Sequence, residues 1–321
     1  MRNDLSRLPQ AQGLSFADQE RICENEFLSG GPYWHLSTDG NRQEIIFIDE
    51  DDFKFAMTCL ALVALEHKVK VIAFVFMSNH LHWILEGTET ECLALFKAFV
   101  KRLKAYLHRK DRFGVLDDFD CDSPVHITTL EQMRNEIAYV HRNPFVVRLD
   151  VLPYNYRWGD GYLYFNPISL NIQGQSPSAF SYAGLRTVLN SRYRELPDSY
   201  RIFQNYILPS SFSDFRKGMN FFRHASHYFA TLTRNLESSS EIAKRLGDKI
   251  VLNDEEIFPL ARKLSSSRYG ISSARDLNSD QKIEIAKTLH FEYHVGNKQV
   301  SRVLALDPSV VNQLFPNKNG V

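Results

Sequence analysis

The chain has no surplus of charge. Thirty-eight basic and 38 acidic residues among 321 give a formal net charge of zero. A basic field over the whole molecule is excluded, so any surface for a polyanion must be local. Cysteine is scarce. Cys23, Cys59, Cys92 and Cys121 are widely spaced and form no CxxC pair. That argues against a zinc ribbon or a disulfide framework and for reduced thiols in the cytosol. The opening MRNDLSRLPQAQGLSF has no apolar signal core, and charges break the apolar stretches well short of a membrane span. A cytoplasmic protein without a membrane partner is the expectation. No repeat of solenoid length is found. What is present is an ordinary globular composition, 44% hydrophobic and 24% charged. At about 100–200 residues per domain, the length suggests two domains with a bridging segment.

Residues 1–30 are polar and read partly as loop. Two short strands are expected at Tyr33–Leu36 and Glu44–Ile48, with Gly40 and Asn41 as turn residues between them. The acidic run Asp49, Glu50, Asp51, Asp52 suits the N-terminus of a helix, where backbone N–H groups lack partners. Lys70–Met77, the turn Ser78-Asn79 and His80–Leu85 read as a β-hairpin. Thr88–Arg109 is a long helix, and residues 114–127 form an acidic loop containing proline. Thr128 and Glu131 fit a capping box at the start of the next helix, which Pro144 should end. Ser, Asn and Gln collect at 169–181 as a linker, and the rest is mostly helical.

His80 and His82 lie two apart on an expected strand, so both imidazoles point to one face. Leu81, Trp83 and Leu85 then point to the other. Two neutral imidazoles on one face can bind a metal, but a third ligand must come from elsewhere. Such a pair also occurs in proteins with no metal, where hydrogen-bond partners hold it. Ile84 stands where a histidine-triad nucleotide hydrolase would need a third histidine.

Tyr139 and Asn143 are i and i+4 on the capped helix and share a face. Leu130, Met133, Ile137 and Val140 make its apolar stripe. Gln132, Asn135, Glu136, Tyr139 and Asn143 lie beside it. A phenol is a weak nucleophile at neutral pH, and a metal that polarises a phosphate compensates in part. Asn143 would give that metal an oxygen; Mg²⁺ or Mn²⁺ accepts mixed oxygen and imidazole ligands. Packing of Tyr139 at an edge and simple capping by Asn143 fit the same spacing.

Lys97, Lys101, Arg102, Lys104 and Arg109 cluster on the long helix, with Lys110 and Arg112 just beyond. Such a cluster binds phosphates without reading sequence, or is a solvated helix face. Tyr106 on the same helix is a rival nucleophile that lacks an amide at i+4. His141 and Arg142 would contact DNA or the acidic loop. Near the end, Asn278–Leu289, Lys298–Ala305 and a helix begun by Asp307-Pro308 suggest a helix-turn-helix. Val310, Val311 and Leu314 would face inward. Ser309, Asn312 and Gln313 would face out, and Asn and Gln can read adenine in a major groove. An ordinary helical bundle fits this pattern equally.

FVFMSNHLHWILEG resembles the strand–turn–strand that carries the HUH motif (His, bulky hydrophobic, His) of single-tyrosine transposases. EIAYVHRNP resembles their catalytic helix, in the YxxxNP form of the REP-associated tyrosine transposases. The two lie about 57 residues apart, in the family's order, with a basic helix between. WHLSTDGNRQEIIF resembles the first strands and their glycine-containing loop. The resemblance covers roughly residues 30–165.

It implies an α+β, ferredoxin-like central antiparallel sheet with helices on one face (the HUH fold), followed by a mostly helical C-terminal region. It implies His80 and His82 as ligands of Mg²⁺ or Mn²⁺, Asn143 as the third, and Tyr139 as the nucleophile that forms a 5′-phosphotyrosine and frees a 3′-OH. The implied partner is single-stranded, hairpin-containing DNA, with a homodimer as one arrangement. The corresponding division is a catalytic domain at 1–167, a helical extension at 168–240 and a helical, DNA-binding 241–321. Ser78 replaces the family's usual proline, the loop at 114–127 is unusually acidic, and the chain exceeds the minimal members in length. The C-terminal pattern resembles, loosely, the helix-turn-helix extensions of longer relatives.

The main alternative is a catalytically retired HUH-fold protein that binds or represses DNA. A replication or plasmid-transfer initiator would want a further histidine and paired tyrosines, and an RNA-binding ferredoxin-like domain would want exposed strand aromatics. Neither pattern is evident.

Overall fold

The computed structural model describes residues 14–38, 45–117, 119–121, 124–147, 155–191, 195–233, 254–291, 293 and 295–316. Its first half runs α1 (Phe16–Leu28), β1 (Tyr33–Ser37), α2 (Glu50–His67), β2 (Lys70–Phe76), β3 (Leu81–Glu86), α3 (Glu89–His108), β4 (Val125–Ile127) and α4 (Leu130–Val147). The four strands form one sheet in the order β2-β3-β1-β4. The β2–β3, β3–β1 and β1–β4 pairings are all antiparallel.

Several elements follow the sequence closely. The β2–β3 hairpin turns at Ser78-Asn79, where the N–H of Met77 donates to the His80 carbonyl at 2.8 Å. Asp49 caps α2 by accepting from the Asp52 N–H. Thr88 and Glu91 make a reciprocal capping box on α3, satisfying N–H groups that have no partner in the first turn.

Others differ. The polar N-terminal stretch contains α1, capped by Ser15. Residues 45–48 form no strand: Ile46 and Phe47 are buried, and their N–H groups both donate to the Ser78 carbonyl. Their apolar surface needs a core, and a core does not require a ladder. The turn at Gly40 and Asn41 lies outside the described residues. β4 falls inside the stretch expected as loop, and β1 is its ladder partner. The cap of α4 sits one residue later than expected. Thr129 Oγ1 accepts from the Gln132 N–H at 3.1 Å, while the Gln132 side chain accepts from the Thr128 N–H at 3.0 Å. Pro144 lies inside α4 rather than at its end. It lacks the N–H that would donate to the Val140 carbonyl, and only three residues of helix follow it.

The sheet is covered on both faces, not on one. Leu36, Val71, Phe74, Phe76, Leu81, Trp83 and Leu85 pack with α2 and α3. Ile72, Ala73, Val75 and Ile84 pack in a second cluster with Met133, Ile137 and Val140 of α4. A bulge between Val71 and Ala73 explains why two successive residues of β2 belong to the same cluster. Both faces of these strands are apolar, so one layer of helices could not bury them.

Beyond α4 come α5 (Tyr182–Leu189), β5 (Ile202–Phe203), β6 (Tyr206–Ile207), α6 (Phe215–Asn220), α7 (Ala225–Thr233), α8 (Asp254–Tyr269), α9 (Ser279–Phe291), α10 (Asn297–Leu304) and α11 (Pro308–Leu314). The expected linker is pinned, because Gln175 and Ile202 exchange two backbone hydrogen bonds. The β5–β6 hairpin packs on Ala61 and Leu62 of α2. Residues 158–160 cover the outer edge of β2. The Phe76 N–H donates to the Trp158 carbonyl at 2.8 Å, and the Phe74 N–H donates to Asp160 Oδ1 at 2.9 Å. Gly159 permits this approach, since a Cβ there would stand 2.8 Å from the Phe74 carbonyl oxygen. The expected boundary at 240 lies outside the described residues.

Candidate active site

The pleat of β3 directs Leu81, Trp83 and Leu85 toward α2 and α3, as the alternation predicts. His82 points the other way, opposite Ser37 of β1 and Val75 of β2. His80 precedes the strand, and both imidazoles are fully buried. Their rings stand edge to face with centroids 5.1 Å apart. His80 Nδ1 lies 2.8 Å from Asn79 Oδ1.

α4 crosses this face of the sheet. Its apolar residues Leu130, Met133, Ile137 and Val140 are all buried in one cluster, as the stripe predicts. The polar stripe beside them brings Tyr139 against the histidines. The Tyr139 ring meets the His82 ring at 5.3 Å and 87°. It is 5% exposed, which places it inside the wall rather than at the mouth of a cleft. Asn143 follows one turn later and is 2% exposed. Its Oδ1 and Nδ2 are both buried and have no hydrogen-bond partner. Leaving such an amide unpaired costs roughly 1–3 kcal/mol per group. An oxygen-seeking cation beside it would offset part of that cost, so the residues present fit a divalent metal. Among the described residues, no three His, Cys, Asp or Glu side chains gather as a metal site. A site here would consist of two imidazoles and an amide.

Two residues that the sequence does not single out complete the cluster. His35 of β1 and Glu136 of α4 are both fully buried. His35 Nδ1 lies 2.7 Å from Glu136 Oε2, and His35 Nε2 lies 3.1 Å from His82 Nδ1. The His35 ring also stands 6.1 Å from that of Tyr139. Glu136 belongs to the polar stripe of α4. His35, however, belongs to no local motif, and only strand pairing brings it to His82.

Among the described residues, His141 of the same helix meets partners other than the acidic loop. It is buried between Tyr228 (Nδ1 to Oη 2.9 Å) and Asp160 (Nε2 to Oδ1 3.0 Å). Ser213 donates to the second Asp160 oxygen. This network ties α4 to α7 and to the segment covering β2.

The basic residues of α3 lie across the sheet from these histidines, because α3 packs on the opposite face. Several also have acidic partners. Arg102 meets Glu66 at 2.6 Å, Lys104 meets Asp117 at 3.0 Å, and Lys110 and Arg112 both reach the buried Asp52. Arg109 donates to Asn190 at 3.0 Å. Lys97 and Lys101 are exposed. Tyr106 belongs to that face too. It donates to Asp52 at 3.0 Å and stacks on Phe55 at 4.0 Å.

The C-terminal helices form where expected. Asn278 and Gln281 cap α9 reciprocally. Ala305 takes the left-handed conformation between α10 and α11, and Asp307 caps α11. Val311 is buried, but Val310 is 38% exposed, contrary to the expected inward stripe. At 3.6 residues per turn, adjacent side chains on a helix point about 100° apart, so Val310 and Val311 do not both centre on one buried stripe. Asn312 and Gln313 are exposed, and Asn312 Oδ1 accepts from Asn297 at 3.0 Å.

No family model matches the chain. No curated protein matches it either. A solved structure is similar to part of the chain. It is that of a REP-associated tyrosine transposase bound to a REP hairpin, at 15% identity, covering 42% of this chain and 79% of that one, with a TM-score of 0.32. Among the described residues, no helix is long and apolar enough to cross a membrane.

Proposed function

We propose that the chain is a metal-dependent single-stranded DNA endonuclease and strand transferase, with Tyr139 as nucleophile and His80, His82 and Asn143 as ligands of Mg²⁺ or Mn²⁺. The observation that carries this reading is convergence on one sheet face. The His80 ring, just before β3, stands edge to face with the His82 ring of β3, the Tyr139 ring of α4 is edge-on to His82, and the buried amide of Asn143, without a hydrogen-bond partner, follows one turn further along α4. The order β-α-β-β-α-β with strands arranged β4-β1-β3-β2 supports a ferredoxin-like reading of the sheet. The choice of hairpin DNA as substrate follows from the resemblance of FVFMSNHLHWILEG and EIAYVHRNP to the transposase segments.

With Nδ1 of His82 engaged by His35 and Nδ1 of His80 by Asn79, Nε2 is the nitrogen each ring would offer a metal. A bound divalent cation would polarise the scissile phosphate and fix its orientation. Tyr139 Oη forms a bond to phosphorus while the bond to the 3′ oxygen breaks. The phenol gives up one proton and the leaving oxygen gains one. The products are a 5′-phosphotyrosine and a free 3′-OH, and attack by a 3′-OH reverses the step to rejoin a strand. Lys97 and Lys101, on the far face, would hold flanking DNA rather than the reacting phosphate; Arg102, Lys104 and Arg109 would first have to leave their present partners. Asn312 and Gln313 would approach base edges of duplex DNA.

The test is incubation with labelled single-stranded hairpin oligonucleotides and Mn²⁺, followed by a denaturing gel. A band of protein joined to DNA, absent in Tyr139→Phe, is expected. The burial of Tyr139 favours a second reading, a retired HUH-fold protein that binds DNA without cutting it. Retarded hairpin with no covalent band would select that reading.

A further inference from the structure

We infer that Glu136 and His35 are positioning residues that fix which nitrogen His82 presents to the centre of the site. This rests on the reading of His82 as a metal ligand, and one arm of the test below is independent of metal.

The chain of contacts runs Glu136 Oε2 to His35 Nδ1 at 2.7 Å, then His35 Nε2 to His82 Nδ1 at 3.1 Å. All three side chains are fully buried. The three come from α4, β1 and β3. Pairing of β1 with β3 sets His35 opposite Ile84 and Ser37 opposite His82, so the two imidazoles are diagonal neighbours on one face. Glu136 closes the chain from above, one turn before Tyr139.

The carboxylate gives this chain a direction. With Glu136 ionised and His35 neutral, the carboxylate only accepts and His35 Nδ1 carries the hydrogen that bonds it. In the neutral ring His35 Nε2 then accepts. The hydrogen shared with His82 therefore sits on His82 Nδ1. That leaves the lone pair of His82 on Nε2, the form in which an imidazole ligates a metal. Ligating histidines commonly need such an outer partner to set ring orientation and tautomer. Here the partner is a second imidazole backed by a carboxylate. The same His35 ring lies 6.1 Å from the Tyr139 ring, so the chain also holds one wall of the tyrosine's environment.

The experiment uses the full chain labelled with ¹⁵N-histidine. In metal-free protein, long-range ¹H–¹⁵N spectra should show His82 with hydrogen on Nδ1 and a bare Nε2. Glu136→Gln keeps the shape but can offer either an oxygen or an NH₂ to His35, so the fixed direction is lost. His82 should then show both tautomers. Mn²⁺ affinity, read from the electron paramagnetic resonance of the free ion, should fall about 10- to 100-fold. His35→Gln should do the same. If that variant does not fold, Glu136→Gln, checked by circular dichroism, carries the test. A wild-type His82 protonated on Nε2 would overturn the inference. So would a Glu136→Gln protein with wild-type tautomer and Mn²⁺ affinity. Absence of Mn²⁺ binding in wild type, with the Nδ1–H tautomer present and lost in Glu136→Gln, would remove the metal reading and keep the positioning chain.

Discussion

Tyr139 and Tyr106 show why a residue's face matters more than its exposure. Both are almost buried, at 5% and 8% exposure. Both sit on helices rich in functional-looking side chains. The sheet lies between them. Tyr106 is held by the Asp52 carboxylate and a stacked phenylalanine. Burial, then the negative charge of Asp52, pushes its phenol up to about 12, with Lys110 pulling the other way. A phenol so placed is far from any imidazole pair and reluctant to ionise. Tyr106→Phe should therefore leave covalent DNA capture at the wild-type level while lowering stability by about 1 kcal/mol, the worth of one hydrogen bond. Capture on gels and a urea melt measure both. Loss of capture in a folded Tyr106→Phe protein would transfer the nucleophile to this face.

Elements are legible in the sequence where periodicity and capping agree. The β2–β3 hairpin shows a run of β-branched and aromatic residues, a turn dipeptide and then the alternation of β3, and α3 shows a capping box followed by a 3.6-residue stripe. β4 is hidden because three residues in an acidic, proline-containing stretch are too few to show a period. Ile45–Ile48 resembles a strand because apolar content reports burial, not hydrogen bonding. The histidine pair and the tyrosine–asparagine pair are visible because each is a local spacing. His35 and Glu136 are not visible as partners, because they lie 101 residues apart and meet only when β1 pairs with β3 beneath α4.

The cations of α3 mislead in a similar way. Their clustering is local, but their acidic partners come from elsewhere. This gives a prediction for the element. Lys97→Ala with Lys101→Ala should reduce the salt dependence of DNA binding, by up to about 0.9 in log–log slope for each phosphate that is no longer neutralised. Arg102→Ala should change that slope little and cost about 0.5 kcal/mol of stability, because its guanidinium is committed to a partly exposed pair with Glu66. Binding isotherms at several salt concentrations separate the two cases. Equal slopes in wild type and both variants would mean that this face does not meet DNA.

At the scale of the whole molecule, the placement of α4 depends on ties to parts of the chain far away in sequence. Arg134 of α4 donates to the Phe221 carbonyl at 2.6 Å and pairs with Glu20 of α1 at 2.6 Å. Arg223 joins the same carboxylate at 2.9 Å. His227 stands at this joint, where the Arg223 backbone N–H donates to its Nδ1. Burial first, then the positive charges of Arg223 and Arg134, lower its pKa to about 4 from 6.5, with Glu20 opposing. Folded protein therefore keeps His227 neutral between those values, while the unfolded chain takes up a proton. Stability tied to this group is full above about pH 6.5 and falls as pH drops toward about 4. Glu20 acts later. Its hydrogen bond to Arg134, opposed by burial and aided by Arg223, lowers its pKa, so its contribution is lost only below the ordinary carboxylate value of 4.5. Because His227 is only partly buried, solvent screening reduces the effect to on the order of 1 kcal/mol between about pH 7.5 and about pH 5. His227→Gln removes the titrating group and keeps a polar side chain. Wild type should lose more of its melting temperature than His227→Gln over that interval, by about 2–4 °C. Parallel losses in the two proteins would mean that His227 takes up its proton equally well in the folded state, and that the joint holding α4 over the histidines does not exclude charge.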